Sequence, residues 1–243
     1  MDEVIRIKNL YKSFEDNEVL KDISLSLRKG ENIVVMGRSG IGKSVLIKCI
    51  VGLLNHDSGT IEIFNTDIST LGYRQLDSIR KRIGFLFQGS ALYDSMNVRE
   101  NLEFPLLRSR FLEKTDKNIN RVIDEVLENV GLLNAKNKMP SELSGGMQKR
   151  LGLARTLVLR PQIILYDEPT TGLDPVTSGE IIDLMISVQK KYNTSSIIIT
   201  HDLKCAKMTA NNIKLLKNGV FYAEGTYEEM KKNSNKEIAE YFN

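Results

Sequence analysis

The chain has 243 residues, of which 41% are hydrophobic and 27% charged, and its formal net charge is +3 at pH 7. A chain of this length and composition can bury a substantial apolar core, as an ordinary globular protein does, which excludes a low-complexity protein. The charge surplus is too small to argue on its own for the basic face that binds phosphate backbones, and it says little about partners. We expect no nucleic-acid partner.

Cysteine content and hydropathy bear on the redox compartment and on whether the chain spans a membrane. The two cysteines, Cys49 and Cys205, lack the spacing of a zinc site or a disulfide framework, and we expect buried free thiols in a reducing compartment. The longest apolar stretches, such as VLIKCIVGLL, are shorter than the ~20 residues that span a bilayer. We therefore expect a soluble protein that reaches a membrane only through a partner.

The first third of the chain predicts strands around one helix. VIRIKNL and VLKDISLSL alternate apolar and polar residues with a period of two, which predicts antiparallel strands joined by the turn EDNE. NIVVM, which ends just before Gly37, is typical of a strand buried on both faces. A helix is predicted over residues 43–54, and GTIEIF predicts a further strand.

The middle third lacks a convincing strand pattern between about residues 98 and 158. The stretches VRENLEFPLL, KNINRVIDEVLENVGLL and SGGMQKRLGLARTLVL carry apolar residues at helical spacing. We therefore predict a helical insertion at about residues 90–158, inside a single domain that spans residues 1–243.

The last third returns to strands separated by a helix. QIILYDEP and SSIIIT predict buried strands on either side of a helix at about residues 176–192. Asn218-Gly219 predicts a hairpin turn within NNIKLLKNGVFYAEG, and TYEEMKKNSNKEIAEYFN predicts one short amphipathic helix. Buried strands that alternate with helices indicate an α/β fold with a mainly parallel sheet covered on both faces.

A glycine-rich stretch, MGRSGIGKSVL, joins the predicted strand NIVVM to the predicted helix and fits the pattern GxxxxGKS. Glycines in this position let backbone N–H groups converge on an anion at the helix N-terminus. Lys43 would reach the β- and γ-phosphates of a nucleotide, and the Ser44 hydroxyl would be a ligand of Mg²⁺. The alternative is a glycine-rich turn with a capping serine. The predicted phosphate-binding residues are Gly37, Arg38, Ser39, Gly40, Ile41, Gly42, Lys43, Ser44 and Val45.

Two acidic residues follow the apolar run IILY, at the carboxyl end of a predicted parallel strand, where open α/β sheets bind ligands. Asp167 would hold Mg²⁺, directly or through water, and Glu168 would polarise the water that attacks the γ-phosphate. The alternative is a solvated acidic pair.

A histidine ends another predicted buried strand, in SIIITHD. His201 could contact the γ-phosphate and position the attacking water, although a lone histidine in this place is also compatible with a structural role. The other histidine, His56 in the polar segment NHDSG, is expected to be a solvated loop residue.

Taken in order, the phosphate loop, LSGGM at residues 143–147, ILYDEPTTGLDP and the strand-end histidine resemble the nucleotide-binding subunit of an ABC transporter. LSGG is the most diagnostic part, because helicases, kinases and GTPases share the phosphate loop but lack it. The resemblance covers essentially the whole chain. It implies an ABC-type P-loop NTPase core with a mainly parallel sheet, an N-terminal antiparallel β subdomain and the helical insertion. It also implies ATP hydrolysis with Mg²⁺ by a homodimer.

The family pattern implies roles for further residues of this chain. Ser144, Gly145 and Gly146 would open a helix that faces the γ-phosphate bound by the other protomer, as a second helix N-terminus aimed at one anion. Gln88 in FLFQGS matches the glutamine that senses Mg²⁺ and joins the core to the insertion. Asp174 in GLDP matches the residue that communicates across the dimer.

The resemblance also implies an aromatic residue that stacks on adenine. Phe14 in YKSF matches it, with Tyr11 as a second choice and a core-packing phenylalanine as the alternative. Phe14 replaces the commoner tyrosine, and Met147 replaces the glutamine that usually follows LSGG. Neither departure touches a catalytic group, so we expect activity to survive.

Loop similarity favours one subgroup of the family. GRSGIGKSVLIKCIVGLL, GSALYDSMNVRENLEFPL and MPSELSGGMQKRLGLARTL resemble ATPases of lipid-trafficking transporters of the Mla/Mkl type. Those systems pair the ATPase with an MlaE-like integral membrane permease and an MCE-type substrate-binding protein. The resemblance implies a peripheral protein at the cytoplasmic face of the inner membrane, without direct contact to the transported lipid.

Other functions remain open at this stage. An amino-acid importer or a lipoprotein-releasing exporter would share every catalytic motif, and only residues 89–105 discriminate them. ABC ATPases that act on DNA carry long coiled coils, and this chain has no sustained heptads. Soluble ABC regulators of translation normally carry two cassettes in one chain, whereas this sequence has one.

Overall fold

Strands and helices alternate through most of the computed structural model, which describes residues 2–108 and 116–242. The strands are β1 (Glu3–Phe14), β2 (Asn17–Arg28), β3 (Asn32–Met36), β4 (Ser58–Ile63), β5 (Thr66–Asp67), β6 (Ile83–Leu86), β7 (Ile163–Asp167), β8 (Ser195–Ile199), β9 (Asn212–Lys217) and β10 (Val220–Gly225). The α-helices are α1 (Lys43–Ile50), α2 (Tyr73–Arg80), α3 (Val98–Arg108), α4 (Asp116–Asn129), α5 (Gly145–Leu157), α6 (Pro175–Tyr192), α7 (Leu203–Thr209), α8 (Tyr227–Lys231) and α9 (Lys236–Tyr241). Short 3₁₀ turns lie at Ile68–Thr70, Leu133–Ala135 and Pro140–Glu142.

The N-terminal strands form an antiparallel sheet in the order β2-β1-β4-β5. Alternating burial along β2 places Ile23, Leu25 and Leu27 on the inner face, as the period of two predicts. The turn between β1 and β2 uses Glu15 at φ 52°, within the predicted EDNE segment. The predicted antiparallel β subdomain is confirmed.

The second sheet has the order β10-β9-β3-β8-β7-β6 and is parallel except for the edge strand β10. Asn218 and Gly219, at φ 52° and 84°, make the two-residue turn between β9 and β10, which is the predicted hairpin. The α/β class with a mainly parallel sheet is confirmed.

Two apolar cores lie on opposite faces of the parallel sheet. Ile33 and Val35 of β3 face the antiparallel sheet and α1, whereas Val34 and Met36 face the helices on the other side. The strand is therefore buried on both faces, which explains why its sequence is apolar without alternation.

The carboxyl ends of three neighbouring strands meet at one edge of this sheet. Val35 of β3 pairs with Ile199 of β8, and Ile199 pairs with Asp167 of β7. The segments that follow these strands therefore begin at the same level, which brings the glycine-rich loop, the acidic pair and His201 together.

Helices α3, α4 and α5 occupy the region predicted as a helical insertion, of which residues 109–115 lie outside the described residues. Leu102, Val126 and Leu153 bury their side chains in the core that also covers β3 and β7. The division of residues 1–243 into one domain with an insertion at about 90–158 stays a prediction.

Two boundaries differ from expectation. Helix α1 ends at Ile50 and not at Leu54, because Gly52 at φ 65° turns the chain and the Leu53 N–H bonds the Lys48 carbonyl instead of continuing the helix. The tail forms two helices where one was predicted, because Asn235 accepts a hydrogen bond from the Glu237 N–H and starts α9 separately.

No helix within residues 2–108 and 116–242 combines the length and apolarity needed to cross a bilayer.

Helix α5 packs directly against Gly84 of β6, and we predict that a side chain at this position would destabilise the fold. A Cβ at this position would collide with the methyl group of Thr156 and lie 3.2 Å from Pro161 Cγ. Gly84→Ala should lower the free energy of unfolding by about 1–3 kcal/mol in chemical denaturation. Gly89→Ala is the matched control, since a Cβ there meets nothing within 4 Å.

A second substitution tests the cause. Thr156→Ser keeps the hydroxyl that donates to the Gly152 carbonyl but removes the methyl group. It should restore part of the stability lost in Gly84→Ala, as a double-mutant cycle measures. An additive outcome would show that the collision is not with Thr156.

Candidate functional site

The glycine-rich loop between β3 and α1 brings backbone amides toward one point. Gly42, at φ 109°, caps α1 without a side chain, and a Cβ there would lie 2.7 Å from Val19 Cγ1. The first turn of α1 has no acidic residue to occupy its free N–H groups. The loop and helix start therefore form a positive concavity that suits an anion.

Lys43 is held inside this loop. Its Nζ donates hydrogen bonds to the carbonyls of Gly37 at 2.7 Å and Arg38 at 3.0 Å, and lies 3.8 Å from Glu168 Oε1. Burial lowers the pKa of Lys43, while Glu168 and Asp167 favour its charged form. The ammonium group is thus fixed at the loop with its own counter-charges beside it.

Asp167 ends β7 opposite the first turn of α1. The Ser44 hydroxyl donates a hydrogen bond to Asp167 Oδ1 at 3.2 Å. Burial raises the pKa of Asp167, and the bond from Ser44 opposes this shift. The ionised carboxylate is therefore costly to bury.

Glu168 adopts the left-handed backbone conformation that non-glycine residues rarely take, at φ 50°. Its N–H bonds the Ile199 carbonyl at 2.9 Å, which ties it to β8. Glu168 Oε2 accepts a hydrogen bond from Thr171 Oγ1 at 3.2 Å and lies 2.9 Å from His201 Nδ1. Only 12% of its side chain is exposed, so these contacts set where the carboxylate points.

The oxygen atoms at this edge fit a magnesium ion that accompanies phosphates. Ser44 and Asp167 supply hard donors 3.2 Å apart, and Ser44 and Gln88 line one cavity. Mg²⁺ in phosphate sites commonly takes one or two protein carboxylates and completes its shell with phosphate oxygens and water. The described residues contain no cluster of three His, Cys, Asp or Glu side chains that could hold a metal alone.

This cavity, of about 480 Å³, is also lined by Lys43, Glu168 and His201, but Asp167 is not among its lining residues. Phe14, 44% exposed, stands in its wall with the phosphate-loop lysine, whereas Tyr11 is not among the lining residues. The residues that line the cavity are Phe14, Val19, Ser39, Gly40, Gly42, Lys43, Ser44, Val45, Gln88, Glu168, Thr171 and His201. The cavity therefore combines an aromatic side chain with a loop that suits an anion.

Other predicted residues of the phosphate loop do not line this cavity. Gly37, Arg38 and Ile41 line a second cavity, of about 380 Å³, on the other side of the loop and against α9. There the Gly37 N–H bonds the hydroxyl of Tyr241, and burial raises the pKa of that tyrosine. Helix α9 thus contacts the phosphate loop on the side away from the first cavity.

The LSGG segment and Asp174 are not among the residues that line the first cavity. Ser144 caps α5 by accepting a hydrogen bond from the Met147 N–H, and Asp174 caps α6 by accepting from the N–H groups of Val176 and Thr177. The two helix starts adjoin, because a Cβ on Gly146 would collide with Thr177. The N-terminal ends of these two helices thus lie side by side, and neither Ser144 nor Asp174 lines the first cavity.

Gln88 connects the cavity to α5. Lys149 of α5 donates a hydrogen bond to the Gln88 carbonyl, and Arg155 donates one to the carbonyl of Ala91. Burial lowers the pKa of Lys149, and the two site carboxylates oppose that shift. The helix that begins at the LSGG segment is therefore bonded to the segment that follows Gln88.

Sequence reasoning did not select three residues of this neighbourhood. Val19 and Thr171 line the cavity, and Lys149 lies 6% exposed beneath it. A lysine on the buried face of a predicted helix is the signal that could have identified Lys149, because lysine is rarely buried without a partner. Val19 comes from the antiparallel sheet, and its part in the site depends on tertiary contact alone.

A glycine loop between a buried strand and a helix, with its lysine beside strand-end carboxylates, defines the class of P-loop nucleotide-binding domains. A family model described as ABC transporter matches residues 20–171. The chain belongs to the ABC transporter family.

Curated relatives carry different cargo names. The chain is 41% identical over 212 residues to the probable ribonucleotide transport ATP-binding protein mkl of Mycobacterium leprae, covering 87% of this chain and 60% of the relative. It is 35% identical over 238 residues to the intermembrane phospholipid transport system ATP-binding protein MlaF of Haemophilus influenzae, covering 98% and 89%. It is 35% identical over 227 residues to the methionine import ATP-binding protein MetN of Clostridium tetani, covering 93% and 70%. The chain thus spans about 60% of the length of the mkl relatives.

Solved structures share the whole fold. The chain matches cbiO1 from Clostridium perfringens, part of the ABC transporter complex cbiONQ, with a TM-score of 0.86 at 26% identity, covering 98% of both chains. It matches a dimeric ATP-binding cassette in a post-hydrolysis state bound to ADP and Pi with a TM-score of 0.83 at 31% identity, covering 91% of this chain and 98% of that one.

The raised pKa of Asp167 leads to a stability prediction. The folded chain binds a proton at this carboxyl more readily than the unfolded chain, so its ionised form costs stability at pH 7. Asp167→Asn should raise Tm by ~2–4 °C, the change that about 1 kcal/mol produces at this size. The gain should shrink as pH falls through the raised pKa, where the wild-type carboxyl is also neutral.

The exposed Asp183 on α6 supplies the matched control. Asp183→Asn should leave Tm within about 1 °C, as surface substitutions usually do. A Tm for Asp167→Asn that is lowered at pH 7 would contradict the stated cost of the buried charge.

Proposed function

We propose that this chain hydrolyses ATP as a subunit of an ABC transporter and that the reaction takes place in the cavity beside the phosphate loop. One observation carries the proposal: Lys43, Ser44, Glu168 and His201 line the same cavity, although they follow three different strands. Membership of the ABC transporter family supports it.

ATP would bind with its phosphates at the phosphate loop and its adenine base at Phe14. The amides at the start of α1 and the Lys43 ammonium would hold the β- and γ-phosphates, and the ring of Phe14 would stack on the adenine base. Ser44, Asp167 and Gln88 would hold Mg²⁺. When bound, this ion neutralises charge on the phosphate oxygens.

Glu168 is suited to act on the attacking water. Thr171 donates to Glu168 Oε2, and His201 lies beside the same oxygen, so the carboxylate orientation is determined before a water arrives. A water bonded to Glu168 would give up its proton to this carboxylate as it attacks the γ-phosphate. His201, more than half exposed, would position the water or the phosphate from the solvent side.

A second copy of the chain would complete the site. Ser144, Gly145 and Gly146 start α5 and offer N–H groups to an anion, yet they do not line the cavity of their own chain. A head-to-tail homodimer would place this helix start, and Asp174 beside it, across from the phosphate loop of the partner. The dimeric state of a cassette that is 31% identical supports this arrangement.

Glu168→Gln tests the reaction. The amide keeps the shape of the side chain but cannot accept the proton, so kcat for ATP hydrolysis should fall by about 10²–10⁴ while ATP binding persists. The variant should also accumulate as a dimer with ATP in size-exclusion chromatography. Glu128→Gln on the exposed face of α4 is the matched control and should retain wild-type turnover. Unchanged turnover in Glu168→Gln would remove this residue as the base.

For the cargo, we propose lipid. The similarity to a relative named for intermembrane phospholipid transport, which spans 98% of this chain, supports the proposal. The chain would then be peripheral at the cytoplasmic face of the inner membrane, bound to MlaE-like permease subunits that work with an MCE-type protein. It would contact neither the lipid nor nucleic acid.

A methionine importer is the second candidate, because a relative with that name is 35% identical over 93% of this chain. Both candidates use the same ATPase chemistry and differ in the permease. The discriminating surface would be the segment after Gln88, where the ring of Tyr93 is 38% exposed and packs at 5.0 Å on Phe104, with the Arg155 guanidinium 4.7 Å above it.

Co-purification from detergent-solubilised membranes tests the cargo. We expect mass spectrometry to find a multi-span permease, an MCE-type protein and phospholipid with the tagged chain. Tyr93→Ala should lower the recovery of the permease, whereas Tyr222→Ala, equally exposed at 39% on β10, should not. A permease with a soluble amino-acid-binding protein would overturn the lipid proposal and favour the importer.

A further inference from the structure

Asp57, in the loop between α1 and β4, makes hydrogen bonds to three consecutive residues of β1. Its N–H donates to the Tyr11 carbonyl at 2.9 Å. Its Oδ1 accepts from Lys12 Nζ at 2.7 Å, and its Oδ2 accepts from the Ser13 N–H at 2.6 Å. The next residue along β1 is Phe14, which stands in the wall of the nucleotide cavity.

This contact lies where the sheet no longer supports β1 on one side. The pairing of β1 with β4 ends at Tyr11 opposite Ser58, so the last residues of β1 continue without a neighbouring strand on that side. The pairing with β2 is irregular over the same residues, with shifts of register on both sides of Lys12. The Asp57 carboxylate replaces the missing ladder bond at Ser13.

Lys12 carries the effect of Asp57 to the aromatic ring. Its Nζ lies 5.3 Å over the ring of Phe14, within cation–π range, and its side chain is only 15% exposed. Because Asp57 bonds the same ammonium group, it determines where the cation sits over the ring. A cation over one face of Phe14 leaves the opposite face available for a base.

We propose that Asp57 is a positioning residue that holds the ring of Phe14 in place for the adenine base, through the Ser13 amide and the Lys12 ammonium. The inference rests on the proposed ATP binding and deepens it. Lys12 and the Ser13 N–H also lower the pKa of Asp57, so its carboxylate stays ionised in any neutral assay.

The inference separates the two ends of the cavity. The hydrogen bonds that Asp57 makes within the described part of the chain go to Tyr11, Lys12 and Ser13, so its loss should weaken contact with the base and leave the phosphate end unchanged. Asp57→Ala should therefore raise KM for ATP about 3- to 10-fold, as the loss of a hydrogen bond and an exposed ion pair permits, at unchanged kcat. The affinity for magnesium tripolyphosphate, which has no base, should not change.

A conservative variant of Asp57 should have an intermediate effect on KM for ATP. Asp57→Asn keeps an oxygen for the Ser13 N–H but loses the ion pair with Lys12, so its KM should lie between wild type and Asp57→Ala. Asp77→Ala is the matched control, because Asp77 is also 44% exposed and pairs with Lys81 at 2.7 Å on α2. This control should keep wild-type KM and kcat.

A double-mutant cycle with Phe14→Ala shows whether Asp57 acts through the ring. In that background Asp57→Ala should change KM for ATP by less than about 1.5-fold, since the group it positions is gone. An equal effect in both backgrounds, a fall in kcat, or an equal loss of tripolyphosphate affinity would overturn the inference. A wild-type chain that binds no ATP would instead overturn the proposed function.

Discussion

Parallel hydrogen bonding aligns Val35, Ile199 and Asp167 across three neighbouring strands. This alignment sets the relative positions of the phosphate loop, the acidic pair and His201. A slip of one residue in any of the strands would move the following loop by about 3.3 Å, which is more than the tolerance of a hydrogen bond. The bond between Ser44 and Asp167, and the contact between Glu168 and His201, both cross from one strand end to another. The cores on the two faces of the sheet therefore stabilise a spacing of functional atoms as much as they stabilise the fold.

The link between the cavity and the helical region is made of polar contacts to backbone carbonyls. Lys149 and Arg155, on one helix, bond the carbonyls that follow β6, while the same helix lies against that strand without an intervening side chain at Gly152. Because Lys149 and Arg155 both bond this short segment, a displacement of Gln88 would be transmitted to α5.

Local pattern was sufficient for much of the fold and for the phosphate loop, because strand burial, glycine spacing and the hairpin turn are encoded in adjacent residues. The predicted end of α1 was wrong by four residues, because Gly52 interrupts an apolar run that otherwise continues to Leu54. The role of Asp57 had no local signal at all. Its partners Lys12 and Ser13 are more than forty residues away, and only the antiparallel sheet brings them to it. The proposed roles of Ser144 and Asp174 depend on a second chain, which no single fold contains.

The separation of the LSGG helix start from its own cavity has a genetic consequence. If each ATP lies between two copies, a defect at Lys43 acts in the cavity of the defective copy, whereas a defect at Ser144 acts in the cavity of its partner. A mixed dimer with one defect in each copy would therefore gather both lesions into one site and leave the other site intact. Two alleles that are each inactive alone could complement one another, and the pattern of complementation would map which residues belong to which half of the site.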